Sequence, residues 1–350
     1  MPLIELFMAE MIVIKLGTAS ITNDGGKLNV DNLQKVVADV AALHRQGLNI
    51  VLVSSGAVGN GRAFLKNYKG TTQERKAAAA VGNPILINKY AEAFAKHDII
   101  IAQTLLERWH FSNRKHFLQL RDTVEALWEN KIIPIANEND VVSDLEIRFS
   151  DNDHLATLLA AGFGASKLLI GSSVEGILDH DGQVIREITD PEETMKSFVK
   201  DEKSSMGLGG MATKLSYASL AARLGIQATI FGLKGETPIL NAYNGEVGSR
   251  FKAGESSKDA RSMWLASGSL ASGCIEVDKG AKEALLNRKS LLQVGITDIE
   301  RAFNQGEIVE IRHKHKQIAV GIAKISSKDV KVGEKENNLV VIHANNLVVI

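Results

Sequence analysis

Cysteine is almost absent from this chain: Cys274 stands alone among 350 residues. A single thiol excludes an internal disulfide and a cysteine-rich zinc site, and it fits a reducing compartment. Long apolar runs are missing too. No stretch reaches about 18 consecutive apolar residues, so no transmembrane helix is expected. The opening residues, Met1-Pro-Leu-Ile-Glu-Leu-Phe-Met8, carry no basic segment, and Glu5 breaks their apolar run, so they do not read as a signal peptide. They read as a short extension, because Met8 and Met11 could also serve as starts, and the expected compartment is the cytoplasm. Neither charge sign is in excess, with Lys+Arg and Asp+Glu both at 41. Such a chain has no global field to draw it to nucleic acid or to an anionic membrane. Neither RNA nor membrane is therefore expected as a partner.

What remains is ordinary for a soluble globular protein: 45% hydrophobic and 23% charged residues, in a length that allows one to three domains. Short apolar segments alternate with helical periodicities. Met11–Ile14, Ile50–Val53, Lys167–Ile170 and Ala228–Phe231 read as short apolar strands, Ile99–Ile101 as the beginning of another, and Ile132–Ile135 as a strand buried on both faces. Leu33, Val36, Val37, Val40 and Leu43 recur at helical spacing, with Gly47 as the C-terminal stop. Phe117, Leu120, Val124 and Leu127 form a second helical stripe, and Leu215–Leu224 an Ala-rich helix. This alternation predicts a mostly parallel sheet covered by helices on both faces. The pattern changes after Gly254. Residues 254–273 hold six Ser and three Gly and read as a linker or irregular boundary. One helix (Lys279–Asn287) and short β-like pieces follow, predicting a smaller β-rich domain.

The most informative stretch is Ile135-Ala-Asn-Glu-Asn-Asp-Val-Val142 with Phe149-Ser-Asp-Asn-Asp-His154. It places Asn137, Glu138, Asn139 and Asp140 at a strand's carboxyl end, where open α/β sheets bind ligands. Asp151, Asn152 and Asp153 immediately precede a helical run. Asn and Asp also favour turns and helix caps, but the pair of clusters suits an amine-bearing polar molecule. Three further loops could carry chemistry. Lys15-Leu-Gly17-Thr-Ala-Ser20 follows the first strand and suits a polyphosphate. Val53-Ser-Ser-Gly-Ala-Val-Gly-Asn-Gly61 follows the second, and its small residues let backbone amides approach an anion. Gly207-Leu-Gly-Gly-Met-Ala-Thr-Lys214 enters a helix with Lys214 in its first turn. It formally matches GxGxxA, but the preceding segment is polar, so the dinucleotide-binding context fails. His313-Lys-His-Lys316 resembles a metal or RNA patch. Between Ala271 and Val330, however, ten Lys+Arg stand against eight Asp+Glu, an excess of two, and a solvated hairpin tip explains the motif.

Together, Ile14-Lys-Leu-Gly-Thr18, Ser54-Ser-Gly-Ala57, Asn137-Glu-Asn-Asp140, Asp151-Asn-Asp153 and Gly209-Gly-Met-Ala-Thr-Lys214 resemble the amino-acid kinase family, and within it the enzymes acting on glutamate. Ile275-Glu-Val-Asp-Lys-Gly-Ala281, Ser290-Leu-Leu and Phe303-Asn-Gln-Gly-Glu-Ile-Val309 resemble the PUA domain that follows many of these kinases. The resemblance implies a three-layer αβα kinase domain over residues 1–258, a linker over 259–273 and a PUA-like domain over 274–350. It implies ATP-dependent phosphorylation of the side-chain carboxylate of L-glutamate, the first step of proline synthesis. Lys15 and Lys214 would stabilise the transferring phosphoryl group, and Asp153 would orient the two lysines. Ser55, Gly56, Ala57, Asn137, Asp140 and Asn152 would hold glutamate. The nucleotide would meet Lys15, Gly17, Thr18, Ser172, Ser173, Leu208, Gly209, Gly210, Met211, Ala212, Thr213 and Lys214. Magnesium would ride on the nucleotide phosphates, with no dedicated protein ligand. A homodimer or homotetramer is implied, with proline as a candidate feedback inhibitor.

The chain departs from the family in one place. A Thr-Asp pair after the fifth strand, a Gly-Leu-Tyr segment and an Asp-Pro loop are usual. Here the chain reads Gly171-Ser-Ser173, Gly176-Ile-Leu and a compact His180-Asp-Gly-Gln183 turn, which puts the nucleotide-base contacts in question and leaves the phosphate loops intact. Three alternatives stay open: a sister kinase for aspartate, acetylglutamate or a nucleotide; an RNA-binding PUA protein with a degenerate kinase fold; and a dehydrogenase using the Gly-rich loops.

Overall fold

The structure, a computed structural model, describes residues 9–22, 28–142, 152–179, 181–189, 194, 208–254, 271–287, 289–333 and 339–349. The chain divides into two compact units, Met1–Leu106 with Val124–Ser256, and Glu107–Thr123 with Ser257–Ile350.

The first unit is built on eight strands: β1 (Met11–Leu16), β2 (Asn49–Ser54), β3 (Ile101–Leu106), β4 (Ile133–Glu138), β5 (Lys167–Ser172), β6 (Glu187–Ile188), β7 (Gln227–Gly232) and β8 (Ser249–Phe251). Their order across the sheet is β3-β4-β2-β1-β5-β7-β8-β6. Every pairing from β3 to β7 is parallel, and only β7 with β8 is antiparallel. The apolar reading of the inner strands β1, β2, β5 and β7 follows from that position. In contrast, β3 lies at the sheet edge with Gln103 exposed, and the Ile99 and Ile100 read with it precede the strand, Ile100 being 68% exposed. Ile12, Ile14 and Leu16 point to one helical layer, while Val13 points to the other, and all are fully buried. Because β2 and β5 flank β1 on opposite sides, the sheet reverses its winding at β1. A crevice is expected there, at the carboxyl ends of the strands.

The described α-helices of the chain up to Ser256 are α1 (Thr18–Ile21), α2 (Val30–Arg45), α3 (Ala57–Gly61), α4 (Thr72–Ala95), α5 (Trp109–Ser112), α6 (Arg114–Glu129), α7 (Asn152–Phe163), α8 (Leu208–Arg223) and α9 (Pro238–Asn244), of which α5 and the first part of α6 belong to the second unit. The hydrophobic layer on one face joins Leu33, Val36 and Val40 of α2, Leu86, Tyr90 and Phe94 of α4, and Ile239 of α9 to the sheet. Asn29 caps α2 through its side chain, and Gly47, at φ +90°, turns the chain out of that helix as the sequence indicates. The longest helix, α4, has no counterpart in the strand and helix segments read from the sequence. Its Ala-rich stretch carries no strong apolar stripe, and Pro84 sits inside it. A capping box between Thr71 and Glu74 starts it.

The second unit holds a six-stranded sheet in the order β10-β14-β13-β12-β9-β11. These strands are β9 (Gly273–Val277), β10 (Leu291–Leu292), β11 (Ile296–Arg301), β12 (Ile308–His313), β13 (Lys316–Ala323) and β14 (Val340–Val349). Helix α10 (Lys279–Leu286) covers a core that includes Ile275, Leu285, Phe303, Val309 and Ile311. Lys314 and His315 take positive φ angles of 52° and 60° in the tight turn joining β12 to β13, so the His-Lys-His-Lys segment is a hairpin tip. The segment Glu107–Thr123 groups with this sheet, and Asn113 bridges Glu307. The Ser/Gly-rich stretch read as a linker lies almost wholly outside the described residues.

Candidate active site

Lys15 is the fifth residue of β1, in register with Val53 of β2 and Ile170 of β5, so its side chain leaves the sheet at the winding reversal. Its Nζ lies 2.6 Å from Oδ1 of Asp153. The other carboxylate oxygen, Oδ2, accepts a 2.6 Å hydrogen bond from Lys214 Nζ. Asp153 is 1% exposed and Lys15 4%, so the pairing is held away from water. Charges of +1, +1 and −1 leave this triad with a net +1, which suits an arriving anion. Asp153 sits in the first turn of α7, where a carboxylate is favoured by the helix dipole. Lys214 comes from the second turn of α8 and not the first, because the helix already includes the Gly-rich residues from Leu208. Three segments far apart in sequence thus meet at one point. Gly17 lies close by: a Cβ there would stand 3.4 Å from Lys15 Nζ.

Beside the triad is a cluster of amides and hydroxyls. Asn152 Nδ2 donates to the Ser54 carbonyl at 3.0 Å, to Ser55 Oγ at 2.8 Å and to Asn137 Oδ1 at 3.0 Å. The backbone N–H of Glu138 donates to that same Asn137 oxygen at 2.9 Å. Gly56, at φ +106°, makes the turn into α3 that a side chain would strain, and Ala57 begins that helix. Below the turn, Tyr90 and Ser54 share a 2.9 Å hydrogen bond in the core, and burial pushes the Tyr90 phenol above its usual range. Asn139 donates its N–H to the Leu106 carbonyl, which fixes the start of the turn carrying half-buried Asp140.

The structure therefore joins Lys15, Asp153 and Lys214, and separately joins Ser55, Asn137 and Asn152, at one end of the sheet. Gly17 and exposed Thr18 lie at the end of β1, and buried Ser172 and exposed Ser173 at the end of β5. Ser172 Oγ accepts from the Val174 N–H. Asp179 closes the compact turn noted in the sequence, its Oδ1 accepting from the N–H groups of Asp181 and Gln183. Leu208, Gly209, Gly210, Met211, Ala212 and Thr213 form the opening turns of α8, ahead of Lys214. Asp151 and Gly207 lie outside the described residues. Sequence reasoning missed Asn83, which accepts a 3.2 Å hydrogen bond at Oδ1 from Asn137 Nδ2. Its one local signal was a polar Asn-Pro pair inside an alanine-rich segment.

Residues 10–232 match the amino acid kinase family, and residues 273–343 match the PUA domain. The chain is 35% identical to glutamate 5-kinase of Pasteurella multocida, over 90% of this chain and 89% of that protein. It is 37% identical to glutamate 5-kinase of Chlorobaculum tepidum, over 96% of both chains. Among solved structures, carbamate kinase from Giardia lamblia bound to AMP-PNP matches with a TM-score of 0.50 and 18% identity. That match covers 70% of this chain and 99% of the other, and at such identity it speaks to the fold. With a three-layer sheet of this topology and a family match over most of its length, the chain belongs to the amino acid kinase family and carries a PUA domain behind the kinase fold.

Proposed function

We propose that this protein transfers the γ-phosphoryl group of ATP to the side-chain carboxylate of L-glutamate, giving L-glutamyl 5-phosphate, the first step of proline synthesis. The observation that carries the reading is the Lys15–Asp153–Lys214 triad standing beside the Ser55–Asn137–Asn152 cluster. The similarity to glutamate 5-kinases along nearly the whole chain supports the choice of substrate.

A carboxylate with an ordinary pKa near 4.3 is already an anionic nucleophile at neutral pH, so no general base is required. A γ-carboxylate oxygen bonds to the γ-phosphorus while the bond from that phosphorus to the β–γ bridging oxygen breaks. ADP leaves with the electron pair, and no proton moves. The remaining work is to hold two anions together and to stabilise charge on the transferring group. In this scheme Lys15 and Lys214 meet the phosphoryl oxygens, and Asp153 orients both ammonium groups and offsets their repulsion. Ser55, the backbone at Gly56 and Ala57, Asn137 and Asn152 hold glutamate, and Asp140 takes its α-ammonium. Gly17, Thr18, Ser172, Ser173 and residues 208–213 lie along the nucleotide. Magnesium carried on the nucleotide phosphates would neutralise further charge. That role suits a triad in which both Asp153 oxygens are engaged by lysines.

The domain limits proposed are a kinase part over 1–258, a linker over 259–273 and a PUA-like part over 274–350. A homo-oligomer in the cytoplasm, inhibited by proline, completes the proposal. No helix among the described residues is long and apolar enough to cross a membrane. Coupled measurement of ADP release across glutamate, aspartate and N-acetylglutamate tests the reading. Glutamate should give the highest kcat/KM, and a preference for either of the others would replace it with a sister kinase.

A further inference from the structure

The segment missed in the sequence brings a residue to the substrate cluster. Helices α3 and α4 meet backbone to backbone: a Cβ on Gly82 would lie 1.7 Å from the Ala57 carbonyl oxygen, and one on Gly61 would lie 1.9 Å from that of Ala78. This approach, open only to glycine, carries the next residue, Asn83, under the Ser54–Ala57 turn, where it is 5% exposed.

The orientation of the Asn83 amide follows from its neighbours. Asn152 donates to the Ser54 carbonyl, so its nitrogen faces the cluster. The oxygen of Asn137 is occupied by that nitrogen and by the Glu138 N–H. Asn137 must therefore turn its own nitrogen to Asn83, whose oxygen receives it. Flipping Asn83 would set nitrogen against nitrogen. Its Nδ2 is thus directed elsewhere, and among the described residues it is buried with no hydrogen-bond partner. An orphaned buried donor costs free energy that a fold does not ordinarily tolerate.

We propose that Asn83 is a substrate-positioning residue whose Nδ2 is held in reserve as a donor to a carboxylate oxygen of the bound amino acid, directly or through one water. The inference rests on the functional reading above and adds a donor to it. Bound substrate satisfies the orphan, and the chain Asn83–Asn137–Asn152–Ser55 transmits its position to the rest of the cluster. A substrate offering an anionic acceptor at that point is selected over one that does not.

Two variants separate the donor from the brace. Asn83→Asp keeps an oxygen to accept from Asn137 but replaces the free donor with a charged acceptor. Asn83→Ala removes both. The proposal expects glutamate KM to rise about tenfold or more in Asn83→Ala and further in Asn83→Asp, where the carboxylate repels the substrate. ATP KM should stay within about twofold of wild type in both, because uniform binding is lost only toward the amino acid. Near-normal glutamate KM in folded Asn83→Asp would show that Asn83 serves only as a brace, and the proposal would fall. If Asn83→Asp does not fold, Asn83→Ala decides: an unchanged glutamate KM, or an equal rise in both KM values, overturns it. Failure of the wild-type protein to use glutamate would overturn the functional reading alone; the two variants are then compared on the KM of whichever amino acid the wild type does phosphorylate, and an unchanged KM there overturns the role of Asn83.

Discussion

Replacing Asp153 by Asn would leave the Lys15 and Lys214 ammonium groups facing each other across a neutral amide. Each now lies 2.6 Å from its own carboxylate oxygen, in a site where Asp153 and Lys15 are almost fully shielded from water. Deleting one partner of a buried ion pair costs about 3–5 kcal/mol, because an uncompensated charge stays buried. Two unit positive charges set about 6 Å apart would repel by a similar amount, about 3 kcal/mol at an effective dielectric near 20. In a unit of this length each kcal/mol moves Tm by about 2–4 °C, so the variant should melt at least about 6 °C below wild type. Nucleotide brings negative charge to the same point. ATP should therefore raise the Tm of Asp153→Asn by more than it raises that of wild type. Turnover should fall by roughly a hundredfold or more, since lysines no longer held on one carboxylate are no longer aimed. Differential scanning fluorimetry with and without ATP, alongside steady-state kinetics, reads both effects. A variant melting within about 2 °C of wild type, with nearly normal kcat, would show that the three charges are not coupled as described.

Lys214→Ala should lower kcat by about 10²–10³-fold with little change in glutamate KM, because its charge acts where charge develops during transfer; near-normal kcat would remove it from the chemistry. Asp140→Ala should act mainly on glutamate, raising its KM by roughly tenfold to a hundredfold for a lost charge-assisted contact, and a rise in ATP KM alone would redraw the crevice. Ending the chain near Ser262 removes Glu307, the bridge partner of Asn113. The truncated protein should melt lower yet still form glutamyl phosphate, and a folded truncation that binds ATP without turnover would place part of the active site in the tail. Burial, and then the hydrogen bond to Glu300, push the Cys274 thiol up to about 12, so it should resist iodoacetamide at pH 8 until the fold opens. Because its folded pKa lies above the unfolded one, its contribution to stability is complete below about pH 8.5 and is lost as pH rises toward 12. Rapid alkylation of folded protein would contradict the burial.

The parts of this protein that read clearly are those where one segment states its own environment. β1, β2, β4, β5 and β7 are short, apolar and bounded by glycine or polar residues, so a buried parallel sheet follows from them. Lys15, Ser55, Asn137 and Asn152 fall at strand ends or a helix start, where ligand chemistry is expected. Helix α4 did not read, since alanines give no stripe and Pro84 argues for a break; the tertiary contact at Gly61 and Gly82 holds it in place. Asn83 was lost with it, because its role depends on Asn137, 54 residues away. The grouping of Glu107–Thr123 with the second sheet had no local signal either: a helical stripe states that a face is buried, not which sheet buries it.

The central claim is that a glutamate carboxylate becomes an acyl phosphate in this site, and hydroxylamine trapping tests it most directly. With ATP, magnesium and L-glutamate the protein should yield glutamyl γ-hydroxamate in step with ADP. Wild type should do so, and Lys214→Ala and Asp153→Asn should be slower by the factors given above. ADP released with glutamate present but without hydroxamate would mean that phosphate goes to water or to another acceptor, and the account would be wrong.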